Sequence, residues 1–273
     1  MDLVVFDLDG TLLDGRSTVS RLTSATLRDL RQRGVAYTVA TGRTLHASRD
    51  LLDGHGFTLP HIYKNGVVIW QPEGGRYSHR NLLTTAEIRQ VLEAFMDSGV
   101  APFIFTLEAE ERHAVYHPPL MSAAERRLAA MLASERGLEV QPVAEMPGYV
   151  DVTNISALGN RAAIGRIEQL VQGEEHLVAY GGNALEGDDL YWVDIHHSAA
   201  SKGTAVTRLK RDLGVSRVIC FGDSENDLSM FAIADECYAP SNAKESVLSA
   251  ATAVIGHHDE DGIAEFLRER FSL

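Results

Sequence analysis

Residues 3–13 read LVVFDLDGTLL: four apolar residues, Leu3 to Phe6, run straight into Asp7 and Asp9, spaced two apart, and then into Gly10-Thr11. A short apolar run bounded by glycine reads as a buried strand. Carboxylates two apart on an extended chain point to the same side. Burying them is costly without compensation. A second stretch of the same design lies far down the chain, where Val218-Ile219-Cys220-Phe221 leads into Gly222-Asp223-Ser224-Glu225-Asn226-Asp227. Two carboxylates about 4 Å apart repel by about 4 kcal/mol at an effective dielectric of about 20. A polar turn capping a strand would account for one such stretch, but not for the pair. A hard divalent cation accounts for both, and magnesium in particular combines a few carboxylates, waters and a substrate phosphate.

Outward from this strand, residues 35–40 (VAYTVA) form another apolar run, with an amphipathic stretch through Leu22, Ala25, Leu27 and Leu30 between the two. Strand, helix and strand at these lengths make a βαβ unit, and a right-handed crossover makes its strands parallel. A helix is expected over 44–53. In HIYKNGVVIW, Asn65-Gly66 separates two apolar runs, the signal of a type I′ hairpin. From about residue 84 the texture changes. Helices are expected over 85–98, 122–136 and 160–172, with strands over 101–107, 113–118, 149–156 and 176–180. The first pattern then resumes with a helix over 202–213, a strand over 218–221, a helix over 226–234, a strand near 237 and a helix over 261–270. The reading is an α/β fold: a Rossmann-like parallel-sheet core made of residues 1–82 and 188–273, with an α+β domain, residues 83–187, inserted between them.

The 273 residues suffice for two modest domains. With 25 Lys+Arg against 38 Asp+Glu the formal charge is −13, which opposes nonspecific attraction to nucleic acid or to an anionic membrane. An anionic ligand must therefore find its positive charge in the site itself. Cys220 and Cys237 both lie in apolar stretches and read as core thiols rather than as a disulfide framework or zinc site. No basic leader precedes a long apolar region, and no run approaches the ~18 apolar residues of a membrane span. A cytoplasmic protein is expected. The histidine pairs His196-His197 and His257-His258 face opposite ways if they lie on strands, so they read as surface or interface histidines rather than chelates.

Four stretches fall at strand ends or helix starts, where open parallel sheets bind ligands. Besides the two acidic ones, Thr41-Gly42-Arg43 follows VAYTVA and Ser201-Lys202-Gly203 opens the helix after the insertion. A hydroxyl and backbone amides at a strand end hold phosphate oxygens, and Gly42 lets the backbone come close. The same residues also suit a helix N-cap. Lys202 is a compact positive charge suited to phosphate. A lysine at a helix start works against the macrodipole, which argues for a ligand role. With a cation present, one aspartate can act as nucleophile while its neighbour moves protons.

In order along the chain, DLDGTL, ATGR, SKG and GDSENDLSM resemble the four motifs of the haloacid dehalogenase-like (HAD) superfamily, in the branch of Cof-like sugar phosphatases. The insertion between ATGR and SKG is similar in position and size to that branch's type IIB cap domain. The resemblance implies a Mg2+-dependent phosphatase that hydrolyses a small phosphorylated metabolite, a sugar phosphate, through an aspartyl-phosphate. In it Asp7 is the nucleophile and Asp9 the general acid/base. Asp7, the backbone carbonyl of Asp9, and Asp223 ligate magnesium, with Asp227 supporting them from behind. The backbone of Leu8 together with Thr41, Gly42, Lys202 and Asn226 binds the phosphoryl group, and the turn at Asn65 lies near the entrance. One departure is visible: the branch carries a glycine three positions before the motif lysine, and Ala199 stands there. A phosphomutase or phosphotransferase on the same scaffold would differ only in the acceptor. A dehalogenase needs neither the second aspartate nor a metal. A noncatalytic phosphometabolite sensor would not need the complete set of acidic residues.

Overall fold

The computed structural model describes residues 2–134, 138–184 and 189–273. In chain order the first elements are β1 (Asp2–Phe6), α1 (Arg21–Gln32), β2 (Ala36–Val39), α2 (Arg49–Leu52), β3 (His61–Tyr63), β4 (Val68–Gln71) and β5 (Arg76–Arg80). Next come α3 (Arg89–Ser98), β6 (Phe103–Leu107), β7 (His113–His117), α4 (Ala123–Ser134), β8 (Glu139–Pro142), β9 (Asp151–Asn160), α5 (Arg161–Val171), β10 (Leu177–Asn183) and β11 (Leu190–His197). The chain ends with α6 (Lys202–Leu213), β12 (Arg217–Phe221), α7 (Leu228–Phe231), β13 (Glu236–Pro240), α8 (Glu245–Ala250), β14 (Ala253–Ile255) and α9 (Gly262–Phe271). Two compact units result, one of Met1–Arg80 with Ala200–Leu273 and the other of Asn81–Ala199.

The first unit is built on a five-stranded sheet in the order β14-β13-β12-β1-β2, parallel throughout. β1 lies inside it, and Leu3 to Phe6 are fully buried, as a strand covered on both faces requires. Leu3 and Val5 pack on one side with Val206, Leu209 and Val247. Val4 and Phe6 pack on the other with Leu27, Leu30 and Leu267. Helix α1 starts where Ser20 Oγ accepts a hydrogen bond from Thr23 N–H, an N-cap. A small antiparallel sheet, β3-β4-β5, joins the end of β2 through a parallel bridge between Ala40 and Ile62.

The second unit is an α+β body around a six-stranded sheet, β10-β11-β9-β6-β7-β8. Its pairs are antiparallel except β7 with β8. Helices α3 and α5 cover one face, burying Val91, Phe95, Ile164 and Ile167 against Ile104, Ile155 and Val193. Leu132 of α4 packs with Phe103, Phe105 and Val115.

Several expectations need correction. The helix over 44–53 shrinks to α2, because Thr44 Oγ1 takes the Ala47 N–H and Arg43 takes the Ala47 carbonyl; side chains there compete with the helical ladder. The Asn65-Gly66 hairpin forms, but Tyr63 pairs with Val68, so four residues connect the strands instead of two. Strands β5, β8, β11 and β14 and helix α8 were not expected. The second unit runs on to Ala199 because β11 pairs with β9 and β10; the expected border at 187/188, like the end of the expected 122–136 helix, lies outside the described residues. No helix of the described residues is long and apolar enough to cross a membrane.

Candidate active site

Adjacent parallel strands carry the two acidic stretches to the same place. Phe6 pairs with Phe221, and the Asp7 N–H donates to the Phe221 carbonyl at 2.9 Å, so Asp7 and the 222–227 loop leave the sheet side by side. The chain from Leu8 to Leu12 then makes one wide turn, broken at Asp9 and Gly10. Gly10 is needed here for two reasons: its φ is +70°, and a Cβ on it would sit 2.6 Å from Asp223 Oδ2.

Asp7, Asp223 and Asp227 each place a carboxylate oxygen within 4.8 Å of the others. Lys202, the first residue of α6, puts its Nζ 2.6 Å from Asp7 Oδ1 and 2.6 Å from Asp227 Oδ1. Lys202 and Asp227 are fully buried and Asp7 nearly so. Ser201 fixes where α6 begins, since its Oγ accepts from Thr204 N–H. Asp227 has both oxygens engaged, the second accepting the Asp223 and Ser224 N–H groups. Asp223 receives the hydroxyls of Thr11 and Ser224 at 3.2 and 3.0 Å.

Burial pushes the Asp7 carboxyl well above the usual carboxylate range, and Asp227 and Asp223 add to the rise against the opposing pull of Lys202. Asp223 is raised by burial and by Asp227. Burial works against the Lys202 ammonium, but the two aspartates outweigh it and keep the lysine charged. One ammonium among three carboxylates leaves the cluster short of positive charge. An all-oxygen donor set without thiolate or imidazole fits a hard cation such as Mg2+.

The Asp9 carboxylate is not in this cluster. It is more than half exposed and is gripped by Arg43, with Nε 2.7 Å from Oδ2 and Nη2 2.5 Å from Oδ1. The pair raises the Arg43 pKa. Thr41, buried, donates its N–H to the Ile62 carbonyl at 3.0 Å, and its Oγ1 accepts the Arg43 N–H at 3.1 Å. Asn226 donates from Nδ2 to Asn65 Oδ1 at 2.9 Å, and that oxygen lies where a Gly42 Cβ would come within 3.3 Å. Leu8 is buried.

The structure thus brings Asp7, Asp223, Asp227 and Lys202 into one cluster, ties Asp9 to the Thr41–Arg43 loop, and ties Asn226 to Asn65 beside Gly42. In the sequence reading Arg43 had no role of its own and Asn65 only that of a turn residue near the entrance. Arg43 stood in the ATGR stretch, and a guanidinium at a strand end facing a carboxylate was the available signal.

The histidines distribute differently from the expectation. His196 is fully buried and is a core residue, not a surface one. His197 groups with His176 and Glu87, and His257 with His258 and Asp259; the latter pair sits on a turn, so the opposite-faces argument does not hold there. His258 Nδ1 bonds the Leu13 carbonyl and His257 Nδ1 accepts the Asp259 N–H.

Residues 4–267 match the haloacid dehalogenase-like hydrolase family. Among similar proteins, the phosphatase YwpJ of Bacillus subtilis is 28% identical over 98% of this chain and 99% of its own length. The 5-amino-6-(5-phospho-D-ribitylamino)uracil phosphatase YitU of the same organism is 24% identical over 99% and 98%. The solved structure of the HAD subclass IIB sugar phosphatase BT4131 superposes with a TM-score of 0.76 at 19% identity, covering 100% of this chain and 99% of that one, which establishes a common fold. With the match spanning nearly the whole chain and the acidic cluster standing at the ends of its central strands, the protein belongs to the haloacid dehalogenase-like hydrolases, and the relatives YwpJ and YitU are phosphatases.

Proposed function

We propose that this chain is a magnesium-dependent phosphatase of a small phosphorylated metabolite, with sugar phosphates as the leading substrate class, and that it works through an aspartyl-phosphate on Asp7. The observation that carries the reading is the buried contact of Lys202 with Asp7 and Asp227 beside Asp223. In the first step an Asp7 carboxylate oxygen bonds to phosphorus and the phosphorus–oxygen ester bond breaks. Asp9 gives its proton to the departing alkoxide, which leaves as an alcohol. In the second step Asp9 takes a proton from water, the water oxygen attacks phosphorus, and the acyl phosphate bond breaks, which frees inorganic phosphate and restores Asp7.

Asp7, Asp223 and the Asp9 carbonyl would hold magnesium, with Asp227 behind them, and the ion would supply charge neutralisation for the transferring group. Lys202 holds the Asp7 carboxylate in place and adds positive charge next to it. The backbone of Leu8 and Gly42, with Thr41 and Asn226, would orient the phosphoryl oxygens. Positioning and charge neutralisation are what phosphoryl transfer demands of a protein. Arg43 keeps the Asp9 carboxylate in a fixed place. The names of the relatives, acting on a phosphoribityl compound and on sugar phosphates, support a small substrate. The formal charge of −13 disfavours a nucleic-acid or anionic-membrane partner, which accords with a cytoplasmic enzyme acting on a small molecule.

Release of inorganic phosphate from an aryl phosphate tests the proposal. Turnover is expected with magnesium, and is expected to vanish with chelator or in Asp7→Asn. Undiminished turnover by Asp7→Asn would overturn the mechanism.

A further inference from the structure

The turn between β3 and β4 touches three of the four loops assembled at the sheet ends. Lys64, Asn65 and Gly66 have φ of +48°, +54° and +97°, three successive residues in the left-handed region. Such a run costs free energy, and it persists only where its surroundings enforce it. Here they do. The Lys64 N–H donates to the Arg43 carbonyl and the Asn65 N–H to the Thr41 carbonyl, each at 3.0 Å. Gly66 lies so close to the start of α6 that a Cβ on it would stand 2.2 Å from the Ser201 carbonyl oxygen. The Asn65 side chain, buried, accepts the Asn226 Nδ2 hydrogen bond at 2.9 Å.

Resting on the phosphatase reading above, we infer that Asn65 is a positioning residue of the phosphoryl pocket, acting through Asn226. A carboxamide nitrogen has two N–H groups. An acceptor on Asn65 engages one, fixes the amide plane, and turns the other toward the position of a phosphoryl oxygen. The Oδ1 of Asn226 is buried with no hydrogen-bond partner among the described residues, so Asn65 is what holds that amide. The main-chain bonds of the same turn fix the Thr41–Arg43 loop, so one element sets the spacing between the phosphate-binding loop on one side and Asn226 on the other.

Asn65→Gly removes the carboxamide while leaving a residue that adopts positive φ freely, so the turn survives. The test is a double-mutant cycle of Asn65→Gly with Asn226→Ala, read as the dissociation constant of inorganic phosphate by calorimetry in magnesium, with melting temperatures alongside. Asn65→Gly is expected to weaken phosphate about tenfold in the wild-type background and less than twofold once Asn226 is alanine. Equal losses in both backgrounds, or no loss in either, would overturn the inference. Turnover by Asp7→Asn, measured in parallel, reports separately on the phosphatase reading: an active Asp7→Asn with a coupled cycle sinks that reading and leaves Asn65 as the organiser of an anion site.

Discussion

Replacing Lys202 by methionine keeps an unbranched apolar stem as far as Cε and deletes the charged end. In the folded protein Nζ stands 2.6 Å from both Asp7 and Asp227, with no exposure of the lysine. Breaking one buried ion pair by removing a partner costs about 3–5 kcal/mol, because the other charge stays buried and unpaired. Two carboxylates lose the same partner here, so the upper part of that range is expected near neutral pH in chelator. The loss depends on pH with a defined sign. Burial already holds the Asp7 pKa above its unfolded value, and losing Lys202 raises it further. The folded wild type takes up this proton at lower pH than the folded variant does, so the deficit between them shrinks as pH falls through the interval between the two folded-state pKa values, by at most about 1.4 kcal/mol per pH unit for one proton. Urea denaturation of both proteins across a pH series measures this. The deficit should be largest above that interval and smaller below it. A deficit under about 1 kcal/mol, or one that does not change with pH, would refute the account of Lys202 as the compensating charge of a buried acidic cluster.

Arg43→Lys should lower kcat/KM about 10- to 100-fold with little change in melting temperature, since an ammonium cannot reproduce the two-pronged grip on Asp9 and a small displacement of a reacting group is enough for such a loss; unchanged kinetics would show that the pair is incidental. Magnesium at about 100 times its dissociation constant should stabilise the protein by about 2.7 kcal/mol, seen as a higher melting temperature than in chelator, and the effect should shrink in Asp223→Asn and at low pH, where the ligands are protonated. His61, buried, has its pKa lowered to about 4 by desolvation. The unfolded chain therefore binds the extra proton below pH ~6.5, and stability should fall by up to about 3 kcal/mol as pH drops toward 4. A pH series of denaturation curves for His61→Gln should lack that part of the acid limb, and an unchanged limb would place the proton uptake elsewhere.

What the sequence made legible and what it hid follow from distance along the chain and from burial. Strand β1 was plain because apolar residues on both faces of a central parallel strand leave an uninterrupted run, and the acidic pair after it was plain because such a pair is costly without a partner. The partner of Asp9 was hidden: Arg43 is 34 positions away, and which carboxylate a flexible guanidinium reaches depends on how two loops close. Asn65 was legible as a turn residue, but its carboxamide gained a second task only when the fold brought residue 226 beside it. Strand β14 is apolar (AVI) but only three residues long, too short a run to separate from a loop, and β8, EVQP with no buried residue, carried no apolar pattern to read. His196 and His197 do lie on one strand, and their alternation is what buries the first while leaving the second near His176; assigning both to the surface overlooked that one of two opposite faces must point inward.

The charge balance of the cluster also orders the binding events. Three carboxylates and one ammonium leave two negative charges when all are ionised, which is what one divalent cation cancels. Until that happens, an incoming phosphate dianion meets a net negative pocket in a protein whose overall charge is already −13, and long-range attraction gives it no help. On the proposed reading, once a cation were in place the short-range donors would come into play: the Lys202 ammonium, the N–H groups of the Leu8 and Gly42 stretches, and the Asn226 amide that Asn65 contacts. Substrate affinity should therefore depend on metal occupancy far more steeply than on bulk ionic strength. The same elements that make the unliganded cluster expensive, namely its burial and its excess of carboxylates, would on the proposed reading make it selective for a cation followed by a phosphoryl group, because no single anion or single monovalent cation balances it.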